Sequence, residues 1–149
     1  LFPEVNPAAR GVFCGFSLAH TRAHFTRAIL EAIAFMLRSG LEALAGLGVA
    51  AQEVRLLGGG ARSRLWTQIK ADVCQMPVVV PATEEAAVLG AAMLAAVGAG
   101  VHPDVPAAVR EMVQLRARIE PNPALAETYS AAYRRYQKLY DQLKPVFGA

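Results

Sequence analysis

Val54-Arg55-Leu56-Leu57-Gly58-Gly59-Gly60-Ala61-Arg62-Ser63 decides the fold class of this chain. A short apolar run ends in three glycines, and a serine suited to a helix N-cap follows. The pattern predicts a strand, a tight turn and a helix running from Ser63 to about Cys74, with Leu65, Trp66, Ile69 and Val73 on its apolar face. Pro77-Val78-Val79-Val80-Pro81 comes next. Its unbroken β-branched run fits a strand buried on both faces. Thr83 is the expected cap of a further helix, with Glu84 and Glu85 in a first turn that favours negative charge.

Upstream, Arg10 to Phe16 reads as another short strand. A helix capped at Ser17 or Thr21 is expected to run to about Leu47, with Gly48 ending it. Its apolar positions are Phe25, Ile29, Ile33, Met36, Leu44 and Leu47, and Arg27 and Glu31 are spaced to pair. Downstream, the uncharged stretch from Ala86 to Val101 is too short for a membrane span and fits a helix packed closely inside a domain. A Pro-rich segment carries Pro103, Pro106, Pro121 and Pro123. A closing helix is expected from about Ala124 to Leu143, with Tyr129, Tyr133, Tyr136 and Tyr140 in one packing stripe. Strand–helix alternation of this kind predicts an α/β domain with parallel strands.

The glycine loop is the strongest site candidate. Glycines let backbone approach a ligand closely, and the first N–H groups of the next helix favour phosphate or another polar group. A Cβ at Gly60 is expected to project where the ligand approaches, or to force an unfavourable backbone angle. Ligands of open α/β sheets bind at the carboxyl ends of strands, where this loop lies. A P-loop would need Gly-Lys-Ser/Thr, and Gly60-Ala61-Arg62-Ser63 does not supply it. A dinucleotide fingerprint would need a glycine at Ser63, so that match is partial, with Glu84 the acid past the next strand. His20 and His24 are one helical turn apart, but no third ligand is evident, and polar contacts at the helix start are the expectation rather than a metal site.

The chain has 149 residues, one domain's worth, of which 54% are hydrophobic, enough to bury a core. The net charge is +3. The arginines are scattered, so no nucleic-acid groove is expected. Cys14 and Cys74 stand apart in apolar stretches and read as buried thiols of a cytoplasmic, reducing compartment. The opening Leu1-Phe2-Pro3 reads as a cut through a longer protein.

Three segments together resemble one family, the FGGY carbohydrate kinases of the xylulose, glycerol and gluconate kinase group. The first is Asn6-Pro7-Ala8-Ala9-Arg10-Gly11-Val12-Phe13-Cys14-Gly15-Phe16-Ser17-Leu18-Ala19-His20-Thr21-Arg22-Ala23-His24, continuing to Phe35, which resembles the family's second signature in its xylulose kinase form. The second is Gly58 to Ser63 with Trp66, which is similar to the adenosine-binding loop. The third is Glu84-Glu85-Ala86-Ala87-Val88-Leu89-Gly90-Ala91-Ala92. The closing helix and its Leu-Lys-Pro-Val-Phe end also fit. Phe16 stands where the family usually has Leu, and a Gly-Glu-Arg-Thr-Pro stretch expected near Leu1 to Val5 is missing.

The resemblance implies an actin-like, ribonuclease-H-like ATPase fold, of which residues 1–149 form the C-terminal nucleotide-binding domain, truncated at its N-terminal side. It implies ATP and Mg²⁺ as cofactors, and phosphorylation of a sugar hydroxyl, that of D-xylulose, with glycerol, gluconate or ribulose as the alternative substrates. Backbone at Gly58, Gly59, Gly60 and Ala61, with Arg62 and Ser63, would hold the nucleotide. The catalytic Asp, the sugar pocket and most of the metal's ligands are expected upstream, so this chain alone is expected to be inactive. Partners are ATP or ADP, the sugar through the missing domain, no nucleic acid, no membrane, and a possible second copy. Two other classes stay open: a dinucleotide-binding module, which would prefer NAD to ATP, and a non-catalytic interaction domain, which would associate without binding nucleotide.

Overall fold

The computed structural model describes residues 6–147, so expectations for Leu1 to Val5 lie outside the described residues. Helix α1 spans Arg22–Gly46, strand β1 Val54–Arg55, helix α2 Arg64–Cys74 and strand β2 Val78–Pro81. Helix α3 spans Ala86–Gly98, α4 Val105–Met112, strand β3 Leu115–Ile119 and helix α5 Ala126–Leu143. The sheet order is β1-β2-β3. β1 lies parallel to β2, with Val54 opposite Val78. β3 is antiparallel to β2, which departs from the all-parallel expectation. Its pairing runs Val78–Ile119, Val79–Arg118 and Val80–Ala117, then slips to Pro81–Leu115, so Arg116 is the extra residue of a bulge.

The expected elements form around the glycine loop. Ser63 Oγ accepts the Trp66 N–H at 3.3 Å and caps α2. Every residue of β2 is buried. α2 is sunk so deeply that Thr67, Lys70 and Asp72 are buried with its apolar residues, while Leu65 is exposed. The Asp72 carboxylate accepts from Gln68 Nε2 at 2.9 Å and from the Asn122 N–H at 2.8 Å, which offsets its loss of water. At the far end, Gln75 closes α2 in the left-handed region at φ 49°.

Helix α1 begins at Thr21 in a reciprocal cap with His24. It ends in a Schellman motif: Gly48 at φ 82° donates to the Ala45 carbonyl, and Val49 donates to that of Leu44. The buried face is not the expected one. Ala34 and Phe35 are buried, with Leu30, Leu37 and Leu41 packed beside the core. Ile29, Ile33, Met36, Leu44 and Leu47 are exposed, Ile29 at 50%. Both stripes are apolar, and α2 and α5 cover only one of them. That core joins Phe35 and Ala34 to Ile69, Val73, Tyr129 and Tyr133.

Four further expectations are corrected. Arg10 to Phe16 is not a strand, because no described strand lies beside it to complete a ladder; Phe13 and Phe16 instead pack on the Phe25 ring at 5.1 and 5.5 Å. Thr83 does not cap α3; Glu85 holds the cap position without a side-chain bond. α3 is not enclosed: Met93 is its buried residue, while Val88 and Leu94 are exposed. Cys14 is exposed, whereas Cys74 is half-buried, and both are free thiols. Two elements inside the Pro-rich segment were not anticipated. Asp104 caps α4, its carboxylate accepting the Ala107 N–H at 2.7 Å, and β3 alternates Leu115, Ala117 and Ile119 with two arginines.

Candidate functional site

β1 delivers the chain at its carboxyl end, where the Leu56 N–H still bonds the Val79 carbonyl at 3.0 Å. The next turn needs glycine. Gly58 adopts φ 73° and ψ −170°, a region that a Cβ closes to other residues. Gly59–Arg62 then winds one 3₁₀ turn, with Ala61 buried and its N–H on the Gly58 carbonyl at 3.0 Å. Ser63 starts α2 immediately afterwards. All six expected residues, Gly58, Gly59, Gly60, Ala61, Arg62 and Ser63, thus sit in one turn between a strand end and a helix start.

The three glycines face different surroundings. A Cβ on Gly58 or Gly59 would meet nothing within 4 Å. A Cβ on Gly60 would lie 3.0 Å from Trp66 Cζ3 and 3.6 Å from Lys70 Nζ. A side chain at Gly60 would therefore press on the indole, which would have to give by a few tenths of an ångström. Lys70 Nζ stands 3.9 Å from the Trp66 ring centre, a cation–π contact. Burial holds the Lys70 ammonium below its ordinary pKa.

Arg62 is engaged. Its guanidinium donates to Glu84, through Nε at 3.1 Å and through Nη2. Arg116, placed by the β3 bulge, lies 3.7 Å from the same carboxylate and donates to the Ala61 carbonyl at 3.3 Å. Hydrogen bonding from Arg62, helped by the charge of Arg116, holds the Glu84 carboxyl below the usual carboxylate range. One carboxylate thus ties the glycine turn to the β2–α3 connection, and Arg116 ties in β3. Sequence reasoning did not find Arg116 or Lys70. The alternation in β3 carried the signal for the first; the second, a lysine two turns into a helix, carried none.

Other candidates resolve into structure. His20 Nδ1 accepts the Ser17 N–H at 2.9 Å and His24 Nδ1 accepts the Thr21 N–H at 3.1 Å, as helix-start contacts. The tyrosine stripe packs on α1: Phe35 meets the Tyr133 and Tyr136 rings at 5.8 and 5.3 Å. Tyr133 Oη donates to Glu42 at 2.8 Å, and Arg27 donates to Tyr129 Oη while pairing with Glu31 at 2.7 Å. A hollow of 390 Å³ lies between Arg27, Gln68, Asp72 and Asn122, and none of its lining residues belongs to the glycine turn. Among the described residues no group of three or more His, Cys, Asp or Glu is placed to hold a metal ion. No helix there is long and apolar enough to cross a membrane.

A strand end, a glycine turn and a helix start at the carboxyl edge of a parallel pair find their counterpart in known proteins. Residues 1–99 match the FGGY family of carbohydrate kinases, C-terminal domain. This chain belongs to that family. It is 32% identical to the xylulose kinase of Staphylococcus epidermidis, over 97% of this chain and 29% of the relative. It is 45% identical to the glycerol kinase of Citrifermentans bemidjiense over 66% of this chain and 20% of the relative. The crystal structure of xylulose kinase from Rhodospirillum rubrum superposes with a TM-score of 0.88 at 41% identity, covering 97% of this chain and 29% of that one. The architecture is accordingly that of the C-terminal domain of an FGGY sugar kinase, part of an actin-like ATPase fold. The chain spans less than a third of the length of these FGGY relatives.

Proposed function

We propose that the chain is the nucleotide-binding part of an ATP-dependent carbohydrate kinase that phosphorylates a sugar hydroxyl, with D-xylulose as substrate. The observation that carries this reading is the glycine turn: open at Gly58 and Gly59, and continuous with the N-terminus of α2. Backbone from Gly58 to Ala61 approaches the nucleotide, and the α2 dipole favours its negative charge. ATP, when bound, supplies the phosphoryl group. Ser63 keeps the helix start in place, and Arg62 acts through Glu84 on the shape of the turn. The remainder of a longer kinase would hold most of the Mg²⁺ ligands, along with the base and the sugar pocket. Phosphoryl transfer needs positioning and charge stabilisation from both sides of its cleft. The names of the relatives favour xylulose. Glycerol is the second reading, favoured by the 45% identity of the glycerol kinase segment. The partial dinucleotide fingerprint loses ground, because Glu84 is already committed to two arginines.

A coupled ADP-release assay tests the reading. The kinase containing this chain releases ADP with D-xylulose in preference to glycerol or gluconate. This chain alone shows no sugar-dependent turnover, and turnover by it alone would contradict the assignment of the base elsewhere. Gly59→Val adds bulk where nothing stands within 4 Å. It raises the KM for ATP about tenfold, or about 1.4 kcal/mol, with the unfolding midpoint unchanged. An unchanged KM would remove the turn from the site.

A further inference from the structure

We infer that Lys70 is a nucleotide-binding residue whose ammonium meets the phosphate nearest the ribose at the glycine turn. The inference rests on the nucleotide reading above and adds a residue and a recognised group to it. Lys70 lies two turns into α2 and is only 7% exposed. Helical side chains lean toward the N-terminus, so its long stem runs back beneath Trp66, and Nζ comes within 3.6 Å of a Cβ built on Gly60. There the ammonium meets the indole face. Among the described residues it has no carboxylate or other hydrogen-bond acceptor.

The stem is buried on Trp66, while Nζ itself is not sealed from water beside the turn. The other cations that touch the turn are spoken for, since Arg62 and Arg116 share Glu84. Lys70 brings a second, independent positive centre to a turn already suited to anions by its backbone. A phosphate oxygen seated on the turn replaces water as the ammonium's acceptor, in a charge-assisted hydrogen bond. Adenosine, which has no phosphate, gains nothing from it.

The test compares AMP, adenosine and inorganic phosphate on the protein labelled with ¹³C at lysine Cε; the chain holds Lys70, Lys138 and Lys144. AMP is expected to move the Lys70 resonance and adenosine to leave it in place. Lys70→Met weakens AMP roughly tenfold, as loss of a hydrogen bond to a charged group would, without changing adenosine affinity. Lys70→Arg retains part of the AMP affinity. If Lys70→Met fails to fold, the wild-type titration still decides. A still Lys70 resonance with bound AMP, or equal weakening of AMP and adenosine, would overturn the inference and leave Lys70 as support for Trp66. Inorganic phosphate binding at Lys70 as tightly as AMP would also overturn it, as a nucleotide-independent anion site. If neither AMP nor adenosine binds at all, the nucleotide reading itself fails.

Discussion

Single residues around the core behave according to their surroundings rather than their type. Burial pushes the Cys74 thiol up to about 12 from an ordinary 9.0, while Cys14 is exposed. A thiol raised in this way favours the folded state fully below about pH 9, and that contribution is lost as pH rises toward 12. At pH 8, in the native protein, a thiol-specific reagent is therefore expected to label Cys14 quickly and Cys74 far more slowly, its rate rising on unfolding. Equal native rates would show that Cys74 is not shielded. Sequence alone read both cysteines as buried because each sits in an apolar stretch. Burial depends on which face a neighbour covers, and Cys14 lies in a segment that no described strand joins. The same distinction holds at the turn: three consecutive glycines look equivalent in sequence, yet only Gly60 is packed against a ring and only Gly58 needs a positive φ.

At the level of elements, local signals were legible wherever the cause was local. The Ser63 cap, the Gly48 ending of α1 and the buried β-branched β2 all follow from neighbouring residues. The orientation of α1 did not, because the helix carries two apolar stripes and only tertiary packing selects between them. Paired truncations on α1 test that selection. Phe35→Ala removes a ring seated among Ile69, Val73, Tyr133 and Tyr136 and is expected to cost about 3–5 kcal/mol in urea unfolding. Ile29→Ala, on the exposed stripe, is expected to stay within about 0.5 kcal/mol. The opposite ranking would show that the stripe read from periodicity is the buried one. At the start of α2, Ser63→Ala removes the acceptor for the Trp66 N–H and is expected to cost about 1 kcal/mol. β3 was missed although its period-two alternation was present, because flanking prolines drew attention to turns. Its antiparallel direction was beyond reach, since nothing in five residues encodes which neighbour they join.

At the scale of the whole molecule, the described residues combine a three-stranded sheet, one deeply buried helix and two helices with open apolar faces. Ile29, Ile33, Met36 and Leu44 on α1 and Val88 and Leu94 on α3 are all exposed. Apolar surface on this scale favours association. Sedimentation velocity across a hundredfold range of concentration is expected to show a rising average mass, whereas a constant monomer mass would mean that these faces tolerate water. The central claim, that adenine nucleotide binds the glycine turn, is tested most directly by ¹H–¹⁵N NMR titration of this chain with AMP and ATP. The account predicts amide shifts centred on Gly58 to Ser63 and the first turn of α2. It predicts similar affinities for the two nucleotides, on the order of millimolar, or about 4 kcal/mol, because it assigns the grip on the outer phosphates to the rest of a longer kinase. Shifts centred on Tyr129 to Tyr140 instead, or no shifts at saturating nucleotide, would contradict it.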